Sequence, residues 1–280
     1  MVQKSYDNST ALYLIPTPIG NLEDITIRSL NTLKSVDVIF CEDTRDTGLL
    51  LKQYNIQKKL VSCHEYNESS IVDKAISYLK DGNSIGLVTD QGTPIISDPG
   101  FIVAREVIKE GFPVIGLPGP TAFVPALIMS GIEPSPFLFY GFLNSKKSKQ
   151  IDELNSLKNF KYTLIFYESV HRIQSTLENM LAIFGDRNIA VCREISKIHE
   201  EICRDKISNI IPIVLSMKGE FVLIVEGNKK VVDYSNLDIV DHVNIYLTDG
   251  LSEMDAIKKV AKEREVAKSI IYNEYHNLRK

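Results

Sequence analysis

The stretch SIGLVTDQGTPIISDPG, residues 84–100, decides how this chain folds. It opens with a short, mostly apolar run that is typical of a buried strand, and the residues that follow favour turns. Carboxylates, hydroxyls and glycines let this loop approach a ligand closely, while its prolines lower the entropy cost of ordering it. The pattern predicts a strand followed by a loop that binds a polar small molecule.

Two similar loops follow two other apolar runs. Residues 16–21 (PTPIGN) come after a predicted strand at residues 12–15, and residues 118–121 (PGPT) come after another at residues 114–117. Ligands bind outside the carboxyl ends of the strands in an open parallel sheet, so the three loops could converge on one cleft. The alternative is that each is an ordinary strand-to-helix turn, because Gly and Pro are common in any turn.

The amino-acid composition is that of a globular protein without a membrane-spanning segment. The chain has 280 residues, of which 44% are hydrophobic and 24% charged, as in an ordinary globular protein of two domains. It contains no run of about 18 apolar residues that would span a membrane. Residues 1–8 are polar and lack the apolar core of a signal peptide. We therefore expect a cytoplasmic protein whose residues 1–11 form a disordered lead.

Neither the cysteines nor the net charge indicates a metal-binding or nucleic-acid-coating protein. The cysteines lack the short spacing of zinc or redox pairs, so we expect free thiols at Cys41, Cys63, Cys192 and Cys203. The net charge of −4 argues against coating nucleic acid by charge alone but leaves room for a local basic patch.

Alternating apolar and amphipathic segments predict two α/β domains, at residues 12–125 and 126–230. In the first we expect strands at residues 12–15, 36–41, 59–62, 84–88 and 114–117, and helices at residues 25–34, 47–54, 69–80, 103–109 and 121–130. In the second we expect strands at residues 137–142, 162–167, 188–193 and 221–226, with helical segments between them.

Residues 231–280 are predicted to form a linker and a small helical unit. Ser252 and Asp255 have the spacing of a capping box before one helix, and a second helix is expected at about residues 267–278. Such a pair resembles a helix-turn-helix, and residues 251–280 carry seven basic and five acidic side chains. The alternative is an ordinary solvated helical face, since no glycine separates these two helices.

Taken together, the motifs resemble the tetrapyrrole methylase superfamily and, within it, the ribosomal RNA small subunit methyltransferase I branch. The resemblance spans residues 12–226 and rests on LYLIPTPIGNLEDIT (12–26), CEDTR (41–45), the loop at residues 90–100, PGP (118–120), FYES (166–169), HR (171–172), RE (193–194) and GEF (219–221). Gln91 and Val170 depart from the usual pattern, which has Ala and Pro at these positions.

This resemblance implies a parallel-sheet N-terminal domain, a mixed-sheet second domain, and S-adenosylmethionine bound between them. It also implies methylation of the 2′-hydroxyl of a cytidine in the decoding region of small-subunit (16S) ribosomal RNA, usually by a homodimer. By motif position, the residues expected at the cofactor site are Ile19, Gly20, Asp90, Gly92, Thr93, Thr121, Ala122, Tyr167, Glu220 and Phe221.

Methyl transfer to a ribose hydroxyl needs a general base or a cation that stabilises the alkoxide, and it needs no metal. Candidate catalytic residues lie where predicted strands end, and these are Asp43, Arg45, His64, Glu168 and Arg172. Each has a structural alternative: Asp43 pairs with Arg45, Glu168 caps a helix, or His64 packs in the core.

A basic loop containing Lys146, Lys147 and Lys149 could contact RNA phosphates, or it could simply be solvated. Two other functions stay open. One is a tetrapyrrole (precorrin-type) or diphthine-type methyltransferase, and the other is a non-catalytic ribosome-binding module, which would have no need of the cofactor.

Overall fold

The computed structural model describes residues 3–5, 9–64, 67–229, 237–264 and 266–277. The chain divides into two compact units, Met1–Asn228 and Lys229–Lys280. Residues 1–2 and 6–8 of the predicted disordered lead, and residues 230–236 of the predicted linker, lie outside the described residues. Within the lead, the Gln3 side chain bonds to both backbone groups of Val114, at 2.9 and 3.0 Å.

The first sheet of the larger unit is entirely parallel, as expected from the alternating pattern. Its strands are β1 (Leu12–Leu14), β2 (Val38–Cys41), β3 (Lys59–Ser62), β4 (Ile85–Val88) and β5 (Val114–Gly116). They lie in the order β3-β2-β4-β1-β5. The three strands that precede the Gly/Pro-rich loops are therefore neighbours, and their carboxyl ends meet at one edge of the sheet.

The helices that cover this sheet are α1 (Ile27–Ser35), α2 (Thr44–Gln53), α3 (Glu68–Lys80) and α4 (Phe101–Lys109). Helix α5 (Phe123–Met129) instead packs on the second sheet of this unit, where Ala126 and Leu127 share an apolar cluster with Val222. Alternate residues of β2 enter two different apolar clusters, Val38 and Phe40 in one and Ile39 and Cys41 in the other. Successive side chains of a strand point to opposite faces, so the sheet is buried on both sides. All five predicted helices are present, and α2 starts earlier than predicted because the Asp43 carboxylate caps its first turn.

The second sheet is mixed, as the resemblance implied. Its strands are β6 (Phe137–Phe142), β7 (Thr163–Ser169), β8 (Asn188–Arg193), β9 (Glu201–Lys206) and β10 (Glu220–Val225), in the order β6-β7-β10-β8-β9. Strands β6 and β7 run parallel, and the other pairs are antiparallel. The helices that pack with it are α6 (Lys147–Leu157), α7 (Ile173–Phe184) and α8 (Ile207–Val214).

Two predictions for this region were wrong. Strand β9 was missed because it is an edge strand of mainly charged sequence, EICRDK, which pairs on one side only. The predicted basic loop is largely helical, since Lys146 is the N-cap of α6 and Lys147 and Lys149 lie in its first turn. The buried residues Gln150 and Leu154 on the opposite face of α6 hold these lysines on the exposed side.

The smaller unit has three helices in its described part, where the sequence predicted two. They are α9 (Ile239–Thr248), α10 (Glu253–Glu263) and α11 (Lys268–Asn277). Helix α9 was missed because its buried face includes His242, a polar residue that bonds to Glu263 and Arg264. The Ser252 cap is confirmed, and Gly250, with φ +89°, makes the turn before it.

No described helix has both the length and the apolar character needed to cross a bilayer.

A buried carboxylate connects the two helices that flank β4. Glu68, at the start of α3, accepts hydrogen bonds from the backbone N–H groups of Gly100, Ile102 and Val103 at 3.1, 2.5 and 3.3 Å. These groups form the first turn of α4, which has no side-chain cap of its own. A negative charge there satisfies free donors and complements the helix dipole. Glu68 therefore fixes the point at which the 89–100 loop becomes a helix.

We predict that Glu68→Ala lowers the free energy of unfolding by about 3 kcal/mol, because it leaves three N–H groups, buried or partly buried, without their acceptor. Urea denaturation followed by circular dichroism measures this change. Glu110→Ala is the matched control, since Glu110 makes an exposed ion pair with Lys80 and such pairs contribute about 0.5 kcal/mol. Equal effects of the two substitutions would contradict the capping role.

Candidate functional site

The three Gly/Pro-rich loops converge, as the sequence predicted, and hydrogen bonds join them directly. The backbones of Thr17 and Gly92 exchange two bonds, of 2.9 and 3.1 Å. The buried Thr17 hydroxyl also donates to the Thr89 carbonyl at 3.1 Å. Thr93 donates its hydroxyl to the Pro120 carbonyl at 2.9 Å, which attaches the third loop. The simpler interpretation, three independent turns, is therefore excluded.

A cavity of about 420 Å³ opens beside these loops. Its walls come from the loops of the first sheet and from strands β7 and β10 of the second, so it lies between the two sheets of the larger unit. This volume is within the range of small-molecule sites. Among the predicted cofactor residues, those lining the cavity are Ile19, Asp90, Gly92, Thr93, Thr121, Ala122, Tyr167, Glu220 and Phe221.

Gly20, the remaining predicted cofactor residue, lies behind this wall. Its φ is +143°, and a Cβ atom added to it would overlap Lys197 of the second sheet's region. Lys197 itself lines the cavity and bonds to Glu194 at 3.1 Å and Glu220 at 2.8 Å. Gly20 thus allows a lysine held by two carboxylates to pack against the first loop.

Two residues at the start of α5 give the cavity a polar wall. The backbone N–H groups of Ala122 and Phe123 face the Tyr167 hydroxyl, but burial is the larger effect and raises the pKa of Tyr167 to about 12. The neighbouring Thr121 Oγ1 atom is buried and has no hydrogen-bond partner among the residues that the structure describes. A buried hydroxyl of this kind is available to a polar atom of a ligand.

Acidic side chains surround Thr89, the residue that follows β4. Burial raises the pKa of Asp98 to about 6, with repulsion from Glu42 and Asp90 adding to the effect and a hydrogen bond to Thr89 opposing it. Burial also raises the pKa values of Glu42 and Asp90. Asp98 and Asp90 both line the cavity. The site therefore holds a carboxyl group that exchanges a proton close to neutral pH.

The predicted catalytic residues of the first domain, Asp43, Arg45 and His64, all lie outside the cavity lining. Asp43 and Arg45 form an ion pair with N–O distances of 2.6 and 3.1 Å, and Arg45 is largely exposed. Asp43 nevertheless touches the site indirectly, because its N–H donates to the Asp90 carboxylate at 3.1 Å. His64 is half-buried, and its backbone N–H donates to the Asn67 side chain.

In the second domain, Glu168 lines the cavity while Arg172 supports its rim. Glu168 is 2% exposed and accepts hydrogen bonds from the Thr176 hydroxyl and the Ser169 N–H, both at 2.7 Å. Arg172 approaches Glu168 at 3.6 Å and donates to the carbonyls of Leu143 and Asn144. Both residues therefore hold the end of β7 against the segment that follows β6.

Sequence reasoning missed several residues that the structure brings to the cavity. They include Ile96, Ser97, Asp98, Phe142, Glu194 and Lys197. Asp98 could have been identified from the sequence, since it lies in the loop at residues 89–100 that was predicted to bind a ligand. The neighbouring Ile95 and Ser97 adopt left-handed backbone with φ of +76° and +65°. Such strain in non-glycine residues is common where a loop binds a ligand.

Comparison with known proteins places this geometry in context. A family model described as Tetrapyrrole (Corrin/Porphyrin) Methylases matches residues 11–211. The protein called Ribosomal RNA small subunit methyltransferase I in Bacillus subtilis (strain 168) is 48% identical over 273 residues, covering 95% of this chain and 94% of that protein. A protein of the same name in Halalkalibacterium halodurans is 45% identical over 284 residues, covering 98% of each.

Solved structures share the fold at much lower identity. The uroporphyrin-III C-methyltransferase of Thermus thermophilus, complexed with S-adenyl homocysteine, superposes with a TM-score of 0.57 at 16% identity. The match covers 77% of this chain and 97% of that chain. The two-sheet architecture around the cavity is thus an established fold.

We predict that Asp98→Asn stabilises the protein at neutral pH. The folded chain keeps the Asp98 proton up to a pH of about 6, whereas the unfolded chain releases it near the ordinary value of 3.8, so wild-type stability falls as pH rises between these values. Asn cannot ionise and avoids this loss. Urea denaturation at about pH 4 and about pH 7.5 measures the free energy of unfolding of both proteins. The difference between Asp98→Asn and the wild type should shift in favour of the variant at the higher pH.

Asp43→Asn is the control of opposite sign. The hydrogen bonds from Arg45 hold the pKa of Asp43 well below its usual range, so its ionised form contributes stability above the unfolded-state pKa. This variant should lose stability at neutral pH relative to acid pH. An Asp98→Asn protein that is also weakened at neutral pH would contradict the assigned burial cost.

Proposed function

The chain belongs to the tetrapyrrole methylase family, and from this premise we propose that it methylates small-subunit ribosomal RNA. The observation that carries the proposal is the identity of 48% over almost the full length of the Bacillus subtilis relative, whose name states this activity. We further propose that the accepting atom is the 2′-oxygen of a cytidine in the decoding region. The tetrapeptide EDTR (42–45) and the loop GTPIISDPG (92–100) support this finer assignment through their resemblance to the RNA-methylating branch.

S-adenosylmethionine is the cofactor of this family, and the cavity residues fit it. Its polar groups need donors and acceptors, which the Asp90 carboxylate and the buried Thr121 hydroxyl offer. Its apolar parts need the surface that Ile19, Phe221 and Val222 supply. We therefore propose that the predicted cofactor residues lining the cavity hold S-adenosylmethionine, with Gly20 shaping the wall from behind.

The bound cofactor supplies a methyl group on a sulfonium, which is an excellent leaving group. The protein must then exclude water, orient the ribose hydroxyl and accept its proton. We propose Asp98 for the last task because it lines the cavity, is oriented by Thr89, and has a pKa of about 6, close to the optimum for a base at neutral pH.

The residues expected to be catalytic from the sequence keep supporting roles in this proposal. Glu168 and Arg172 position the end of β7, and Asp43 orients Asp90 through its backbone N–H. Arg45 neutralises Asp43, which limits the negative charge near the cavity. The role of His64 stays a prediction.

Recognition of the RNA backbone is assigned to the first turn of α6. Lys146, Lys147 and Lys149 are all exposed there. Lysines on an exposed helix turn contact phosphates without reading the base, so they would set affinity rather than sequence preference. Our proposal also includes a homodimer in the cytoplasm.

Methyl transfer from labelled S-adenosylmethionine to small ribosomal subunits that lack the modification tests the proposed function. We expect label on a ribose oxygen of a decoding-region cytidine, located by nuclease mapping and mass spectrometry. Asp98→Asn should bind the cofactor but transfer the methyl group about 100-fold more slowly, as expected for loss of a general base. Cofactor binding without transfer would favour a tetrapyrrole or diphthine-type substrate. Absence of cofactor binding would leave a ribosome-binding module.

Thr121 provides a test of the cofactor site that does not depend on the RNA substrate. We expect Thr121→Val to weaken S-adenosylmethionine binding by about tenfold, because it removes a buried hydrogen-bonding group while keeping the volume. Thr121→Ser, which keeps the hydroxyl, should bind nearly as tightly as the wild type. Isothermal titration calorimetry measures both constants. Tight binding by Thr121→Val together with weak binding by Thr121→Ser would contradict the role of the hydroxyl and show that the methyl group is what matters.

A further inference from the structure

An exposed aromatic ring lies at the mouth of the cavity. Phe142 is the last residue of β6, is 53% exposed, and lines the cavity together with Tyr167. The two ring centroids are 5.5 Å apart in an edge-to-face arrangement. Water contact over half of a phenyl ring is unfavourable for the folded protein. Its position at the entrance to the site therefore calls for a functional explanation.

A β-bulge places this ring on the cavity side. The register between β6 and β7 shifts between Phe139 and Gly141, so Tyr140 is an extra residue. Phe139 packs on the cluster around Tyr167, and Tyr140 packs on the opposite face of the sheet. Strict alternation would put Phe142 on the face of Tyr140. Because of the bulge, Phe142 lies on the same face as Tyr167. Bulges beside active sites commonly redirect a side chain in this way.

The bulge also brings β6 against the loop of the first sheet. Gly141 has a φ of +80°, and a Cβ atom built on it would lie 2.9 Å from the Ser97 hydroxyl. Ser97 lines the cavity next to Asp98, the proposed base. The ring of Phe142 therefore stands one residue from the point where the two sheets of the larger unit meet.

Basic residues follow the ring directly in the chain. Four residues separate Phe142 from Lys147, and Lys146, Lys147 and Lys149 are exposed at the start of α6. Arg172 holds this connection in place by donating to the carbonyls of Leu143 and Asn144. An exposed aromatic ring beside exposed cations is the arrangement with which proteins bind unpaired nucleotides, the ring stacking on a base and the cations contacting phosphates.

We propose that Phe142 is the stacking surface for an unpaired base of the RNA substrate, either the target base itself or its immediate neighbour. This inference rests on the proposed function, because only a nucleic-acid substrate presents such a base. Bases in single-stranded RNA loops can be splayed out of their stack, and an aromatic ring at the entrance of the site compensates the lost stacking. Phe142 is thus a substrate-positioning residue, distinct from the groups that bind the cofactor.

Kinetics provide the first test. Phe142→Ala should raise the KM for small ribosomal subunits about tenfold, the usual effect of removing a base-stacking ring, and leave the dissociation constant for S-adenosylmethionine unchanged. Phe142→Tyr should restore the wild-type KM. Phe137→Ala is the matched control, because Phe137 is 43% exposed at the other end of the same strand and does not line the cavity. Its KM should equal that of the wild type.

Fluorescence provides a test that needs no turnover. The chain contains no tryptophan, so Phe142→Trp introduces a single tryptophan at the proposed stacking position, and this ring can be excited at wavelengths that the tyrosines do not absorb. Stacking on a base should quench its emission when small ribosomal subunits are added to the cofactor-saturated protein. Phe137→Trp should stay unquenched.

Two results would overturn the inference. One is an unchanged KM in Phe142→Ala, and the other is quenching of the Phe142→Trp variant by S-adenosylmethionine alone, which would place the ring on the cofactor. Failure of the proposed function is recognised separately. If the proposed function is wrong, the wild type transfers no methyl group to the small ribosomal subunits. The quenching experiment still shows whether RNA binds against the ring at position 142.

Discussion

Two backbone hydrogen bonds between Thr17 and Gly92 hold the loops of the first sheet together, and the cavity depends on them. They join the loop after β1 to the loop after β4, although these loops are more than seventy residues apart in the chain. Thr17 is fully buried, and its hydroxyl adds a third bond to the Thr89 carbonyl. Since three neighbouring parallel strands end at this edge, fixing two of their loops also fixes the wall that carries Asp90 and Asp98.

The second sheet supplies the opposite wall of the cavity. Its strands β7 and β10 close the cavity with Tyr167 and Phe221, and a bulge in β6 adds an aromatic ring at the entrance. The first sheet thus supplies the loops that carry Asp90 and Asp98, while the second adds the aromatic surface of the cavity together with the charged side chains of Glu168 and Lys197. A cofactor and a nucleotide need both kinds of surface, which explains why the site lies between the two sheets rather than within either one.

Local sequence patterns predicted the architecture well because strands and helices in the first sheet follow simple periodicities. The convergence of the loops was also predictable, since the topology of parallel strands brings their carboxyl ends together. The remaining features depend on tertiary contacts. Strand β9 is charged and pairs on one side, and α9 buries His242 through bonds to Glu263 and Arg264. The position of Phe142 depends on a bulge that no alternation pattern announces.

The contact between Glu68 and α4 has a consequence for the order in which the chain folds during synthesis. A ribosome releases α3 before residues 100–103, so for a time the Glu68 carboxylate lacks all three of the N–H groups that it binds in the finished protein. The growing chain can pair β2 with β3, but β1 has no neighbouring strand until β4 has emerged, and β4 in turn lacks its second flanking helix until α4 has emerged. The binding loop between β4 and α4 is therefore ordered late, after α3 and the Glu68 carboxylate that supports it have been synthesised.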